Sequence, residues 1–151
     1  MRSPLTLYMV EDSELVQRRL SDVLTELAGV VVVGSAATAR EAIADIARLQ
    51  PAVVTVDLGL SSGTGYEVMN ALQNVPAAER PVYVVVTNHN HTTHRAASIR
   101  LGAAAIFDKA RDVSGLVEFF LQLRRPGEVL RPLGGLRDEH ARLAGPLPPD
   151  D

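Results

Sequence analysis

The 151-residue chain contains no cysteine. That removes disulfides, thiolate catalysis and cysteine-based zinc sites together, and leaves the redox compartment open. A charge excess is missing as well: 15 Lys and Arg stand against 18 Asp and Glu, for a formal net charge of -3 and a sequence pI near 5.8. With no basic field to hold a phosphate backbone, direct nucleic-acid binding is not expected. No apolar run approaches the roughly 18 residues needed to span a bilayer, and the opening MRSPLTLYMVEDSE meets acidic residues too early for a signal-peptide core. The reading is a soluble, cytoplasmic chain with no membrane partner. A GxxxxGK[ST] phosphate loop is also absent, which counts against a flavodoxin-like or small hydrolase fold on the same kind of sheet.

What is present is alternation. Apolar runs of strand length at residues 5–10, 30–34, 52–56, 81–86 and 104–107 are separated by segments of helical period at 14–27, 39–49, 66–74, 92–101 and 113–123. The first helical segment carries Leu15, Val16, Leu20, Val23, Leu24 and Leu27 at three and four spacing, with Ser13 placed to cap it. Pro51 marks the end of the second, and Asp112 is placed to cap the fifth. The strands are nearly unbroken in apolar character, so the sheet is expected to be covered on both faces, parallel, with right-handed crossovers. The fold class is α/β: a doubly wound (βα)5 sandwich on a five-stranded parallel sheet. With 46% hydrophobic residues the chain can bury one sizeable core. Residues 126–151 hold five of the nine prolines and four glycines, with at most a turn of helix at 137–143. The expected division is therefore a domain over 1–125 and a Pro/Gly-rich tail over 126–151, too short and irregular for a winged-helix or helix-turn-helix output domain.

In an open parallel sheet functional groups gather beyond the carboxyl ends of the strands. Glu11 and Asp12 follow the first strand, Asp57 the third, Thr87 the fourth and Lys109 the fifth. Taken singly each has an ordinary explanation: a helix cap, a turn residue, a solvated lysine. Brought together, three carboxylates repel and lose hydration, and a hard divalent cation taking oxygen ligands, Mg²⁺, best explains the arrangement. Asp57 would then be the nucleophile toward a phosphoryl group, with Lys109 and the metal neutralising the transferring oxygens and the Thr87 hydroxyl donating to one of them.

At this point the chain resembles the receiver domain of bacterial two-component response regulators, and is similar to the single-domain chemotaxis regulator. The matching pieces are VEDSE (10–14), VTVDLGLSSGTG (54–65), VVVTN (84–88) and GAAAIFDK (102–109). The resemblance implies a flavodoxin-like sheet in the order 2-1-3-4-5. It makes Asp57 the phosphorylated aspartate, Glu11, Asp12 and Asp57 the carboxylates on Mg²⁺ with the backbone carbonyl of Gly59, Thr87 the switch hydroxyl, and Lys109 the partnering lysine. It implies phosphoryl transfer from a sensor histidine kinase or phosphotransfer protein, slow self-catalysed hydrolysis rather than conventional enzyme turnover, a downstream protein target, and phosphorylation-linked homodimerisation.

Four positions depart from the family pattern. Ile106 stands where the family has its switch aromatic, and Phe107 beside it would face the other side of the sheet. Ser61 and Ala110 replace prolines, and Asn88 replaces a smaller residue after the threonine. Ile106, Asn88 and Ala110 support the alternative function, an interaction module that signals without phosphorylation, but the five charged or hydroxyl groups at the strand ends support the phosphorylatable reading more heavily. In the NHNHTTH loop, His91 and His94 could share a helical face for a transition metal, though a solvated loop fits better, and His89, two after Thr87, would tune phosphoryl lifetime.

Overall fold

The computed structural model describes residues 4–88 and 92–124. Strands β1 (Thr6–Val10), β2 (Val31–Ala36), β3 (Val53–Val56), β4 (Val82–Thr87) and β5 (Ala103–Asp108) alternate with helices α1 (Glu14–Ala28), α2 (Ala39–Leu49), α3 (Gly65–Asn70), α4 (Thr92–Arg100) and α5 (Val113–Leu123). The strands form one sheet in the order β2-β1-β3-β4-β5, parallel throughout. The molecule is therefore the (βα)5 sandwich expected from the alternation, in the flavodoxin-like strand order that the resemblance implies. Residues 126–151, together with His89 and His91, lie outside the described residues. Among those described, no helix is long and apolar enough to cross a membrane.

Each strand sends alternate side chains to opposite faces, so the sheet divides the core in two. Leu7, Met9, Val84, Val86 and Phe107 pack beneath Leu20 and Leu24 of α1 and Leu116, Phe119 and Phe120 of α5. Tyr8, Val10, Val54, Val56, Val85 and Ile106 pack beneath Ala42 and Ile46 of α2 and Val68 and Met69 of α3. The central β3 is buried at every position, whereas edge strand β2 is buried only at Ala36. That contrast is why β3 delivers its last residue into a protected place and β2 does not.

The caps follow from local chemistry. Ser13 accepts a hydrogen bond from the Val16 N–H at 3.2 Å, Thr38 caps α2 through Glu41 N–H, and Gly29 closes α1 in the left-handed region at φ 67°. Several expectations are corrected. Helix α3 stops at Asn70 rather than 74, because the following chain tightens into turns through Gln73 N–H to Asn70 C=O and Val75 N–H to Leu72 C=O, both at 3.1 Å. It also begins earlier, at a Thr64/Glu67 capping box that satisfies both ends of the first turn. Leu15 and Leu27 are 64% and 58% exposed: the stripe that α1 buries is the narrower Leu20, Leu24, Ala28 row. Asp112 stands at the N-cap of α5, but its side chain makes no capping hydrogen bond.

Candidate functional site

The sheet ladder runs one residue past the strands and fixes the site. Asp57 N–H donates to Val10 C=O at 2.9 Å, Glu11 N–H to Ala36 C=O at 2.9 Å, and Lys109 N–H to Thr87 C=O at 3.3 Å. Glu11, Asp57 and Lys109 are thus held by main-chain bonds to neighbouring strands, and their side chains meet at the sheet's carboxyl end.

The five side chains expected there converge. Thr87 Oγ1 donates to Asp57 Oδ1 at 2.8 Å, and Lys109 Nζ donates to Asp57 Oδ2 at 2.8 Å. The ammonium also reaches Glu11, at 3.2 Å to Oε1 and 3.3 Å to Oε2, and the Ser13 N–H donates to Glu11 Oε2 at 3.0 Å. Glu11, Asp57 and Thr87 are buried at 3%, 4% and 0% exposure, while Asp12 is exposed. The cluster is closed beneath and open on the Asp12 side.

Burial raises the Glu11 pKa above the ordinary carboxylate range, and the nearby Asp57 charge pushes the same way, against the Ser13 amide and Lys109. For Lys109 burial pulls the pKa down, but the bond to Asp57 and the charges of both carboxylates outweigh it, and the value is raised. Lys109 is therefore a firmly protonated cation between two carboxylates.

Glu11, Asp12 and Asp57 each offer one oxygen, all within 4.8 Å of one another. Oxygens on opposite sides of a six-coordinate Mg²⁺ lie about 4.2 Å apart, so small side-chain rotations would bring the three onto one ion. The donor set is hard oxygen throughout, with no imidazole or thiolate, which suits Mg²⁺ rather than zinc. The Gly59 N–H donates to Asp57 Oδ1 at 3.4 Å.

Some supporting residues are not evident from sequence. A Cβ on Gly65 would lie 2.4 Å from the Asp57 carbonyl oxygen and 2.6 Å from Val56. Only glycine lets the start of α3 approach the acceptor strand this closely. Gln17 donates to the Glu11 carbonyl at 2.5 Å and accepts from Ser35 at 3.1 Å, bracing α1 against β2. The Thr64-x-x-Glu67 pattern is the one signal that would have placed the start of α3.

Residues 59–63, Gly-Leu-Ser-Ser-Gly, also match the GxSxG spacing of a hydrolase nucleophile elbow. The geometry differs: Ser61 is an exposed loop residue whose hydroxyl donates to Ala37 C=O at 3.0 Å, and helix α3 starts only at Gly65. Ile106 and Phe107 fall on opposite faces as strand alternation requires, with Phe107 packed edge-on against Phe119 at 5.9 Å. His94 Nδ1 and the Tyr66 hydroxyl are hydrogen-bonded at 2.5 Å, with the two rings inclined at 23°.

Comparison with known proteins converges on one family. A family model for the response regulator receiver domain matches residues 7–120. Over 127 residues the chain is 33% identical to a protein-glutamate methylesterase/protein-glutamine glutaminase of Moorella thermoacetica, covering 82% of this chain and 29% of that protein. A similarly described protein of Myxococcus xanthus is 33% identical over 107 residues, covering 71% and 30%. The chain thus spans less than a third of the length of these curated relatives. Among solved structures it is similar to the response regulator domain of Thermotoga maritima CheB, with a TM-score of 0.70, 19% identity and coverage of 80% and 96%. A LuxR-family response regulator from Aurantimonas gives a TM-score of 0.71 at 23% identity, covering 90% of this chain and 99% of that one.

Proposed function

The chain belongs to the response regulator receiver family, and on that premise we propose that it is a phosphorylatable receiver whose acceptor is Asp57. The observation that carries the reading is the division of labour on that carboxylate: a hydroxyl on one oxygen and an ammonium on the other, each at 2.8 Å, beside two further acids.

An Asp57 oxygen attacks the donor phosphorus, the bond from phosphorus to the donor's leaving atom breaks, and the leaving group departs with its electron pair. Lys109, already a cation, follows charge onto the incoming phosphoryl oxygens, and the Thr87 hydroxyl turns from Asp57 to one of them. Mg²⁺, held by Glu11, Asp12, Asp57 and the Gly59 carbonyl, would neutralise charge on the phosphoryl group. The donor is a histidine kinase or phosphotransfer protein, or a small acyl phosphate, and the compartment is the cytoplasm.

Thr87 ends β4 and α4 begins at Thr92, so its reorientation passes along the chain toward α4 and on to a downstream protein or a second copy of the chain. Residues 1–125 form the receiver, and 126–151 a tail. Ile106 favours a second reading, an interaction module that works without phosphorylation, since an aliphatic side chain replaces the aromatic that would swing.

Intact mass after incubation with Mg²⁺ and acetyl phosphate separates the two. A gain of about 80 Da that needs the metal is expected. No gain under saturating donor favours the module.

A further inference from the structure

Lys109 contacts both Asp57 and Glu11, but a four-carbon side chain is aimed only as well as its backbone is held. The residue before it supplies that hold. Asp108 Oδ1 accepts the Ala110 N–H at 2.8 Å and the Arg111 N–H at 3.0 Å, an Asx-turn in which Lys109 is the central residue. The Asp108 carbonyl accepts the Asp112 N–H at 3.0 Å, joining the turn to the start of α5, and the Lys109 N–H is tied to Thr87 C=O. Asp108 is itself in register with Thr87 across the sheet.

We propose that Asp108 is a positioning residue for Lys109, its carboxylate fixing the β5–α5 turn so that the ammonium is delivered between Glu11 and Asp57. The peptide before Lys109 is held by the ladder and the two after it by one carboxylate oxygen. Without that oxygen the Ala110 and Arg111 amides turn to solvent, and the turn around Lys109 is left with the Thr87 bond and the Asp108–Asp112 main-chain bond alone. The inference rests on the reading of Asp57 as acceptor for its kinetic consequence, but not for its geometric one.

Two variants of the full chain test it. Asp108→Ala removes the acceptor oxygen, and Asp108→Asn keeps it while removing the charge. With acetyl phosphate as donor, Asp108→Ala is expected to lower the saturating phosphorylation rate roughly tenfold and to leave the Mg²⁺ concentration for half-maximal rate unchanged, since the three metal carboxylates are untouched. Asp108→Asn is expected to stay within roughly twofold of the parent. A parent-like rate in Asp108→Ala overturns the proposal, as does an equal loss in Asp108→Asn, which would place the effect on charge. If the parent chain takes up no phosphoryl group, the acceptor reading fails separately. Crystal structures of the variants then decide the positioning claim: Lys109 displaced from Asp57 in Asp108→Ala and retained in Asp108→Asn supports it, and an undisturbed 2.8 Å contact in Asp108→Ala overturns it.

Discussion

At the scale of single residues, short polar contacts are made possible by what stands next to them. Tyr8, 0% exposed, reaches out beneath the edge strand to Asp45 on α2, hydroxyl to carboxylate at 2.7 Å. Its ring passes where a Cβ on Gly34 would lie 2.9 Å from it. The bond lowers the Asp45 pKa, with Arg48 adding to it. A carboxyl whose pKa is lower folded than unfolded stabilises the native state above its unfolded value, and loses that contribution as pH falls through the folded one. Tyr8→Phe is therefore expected to cost about 1 kcal/mol near neutral pH, modest because Asp45 is reached by solvent. The difference from the parent should shrink as pH falls below the ordinary carboxylate value of 3.8. Urea unfolding across that range checks it; a loss that does not change with pH would assign the effect to packing. The five site residues were legible because each follows an apolar run. The Tyr8, Gly34 and Asp45 contact was not, because three different elements create it.

At the scale of elements, α4 is the one that composition describes least well. Its inward face is Thr92, Arg95 and Ser98, a polar row at three-residue spacing where the other helices place Leu, Ile, Val or Phe. Beneath the same side of the sheet, the Tyr83 hydroxyl is buried with no hydrogen-bond partner among the described residues, and burial raises its pKa. A buried unpartnered hydroxyl costs roughly 1–3 kcal/mol. Tyr83→Phe removes the polar atom and keeps the ring, so it is expected to raise unfolding stability by about 1 kcal/mol, read from the urea midpoint. A destabilised variant would contradict this account of the hydroxyl. Helices α2 and α5 were legible to the residue, since their apolar stripes agree with the packing that forms, even though Asp112 makes no capping bond at the start of α5. The end of α3 was not, because the i to i+3 turns after Asn70 continue the sequence pattern of a helix without its geometry. The Thr64/Glu67 box at its start is a capping pattern carried by the sequence itself, set among glycines that read as loop.

At the scale of the whole molecule, one sheet explains both halves of the account. It divides two apolar cores that run from Leu7 to Leu123, and it carries Glu11, Asp57, Thr87 and Lys109 out of its carboxyl end in register. Ending the chain after Arg125 is accordingly expected to preserve a single cooperative thermal transition with its midpoint within about 3 °C of the parent. A broad or much lower transition would show that residues 126–151 contribute to the fold. The layer assignment was legible because parallel βα units allow few arrangements, whereas the strand order followed from the family resemblance rather than from the alternation. The bracing of the site by Lys109 across Glu11 and Asp57, and by the Asp108 turn, was not, since it joins residues far apart in sequence or amides that carry no letter. The central claim is that Asp57, in the acidic cluster with Glu11 and Asp12, takes the phosphoryl group. Its most direct test is borohydride reduction of the protein after Mg²⁺ and acetyl phosphate, which converts an acyl phosphate to an alcohol, followed by peptide mapping. The account expects reduction at position 57, dependent on the metal and absent from Asp57→Asn. Reduction at another carboxylate, or at none, would contradict it.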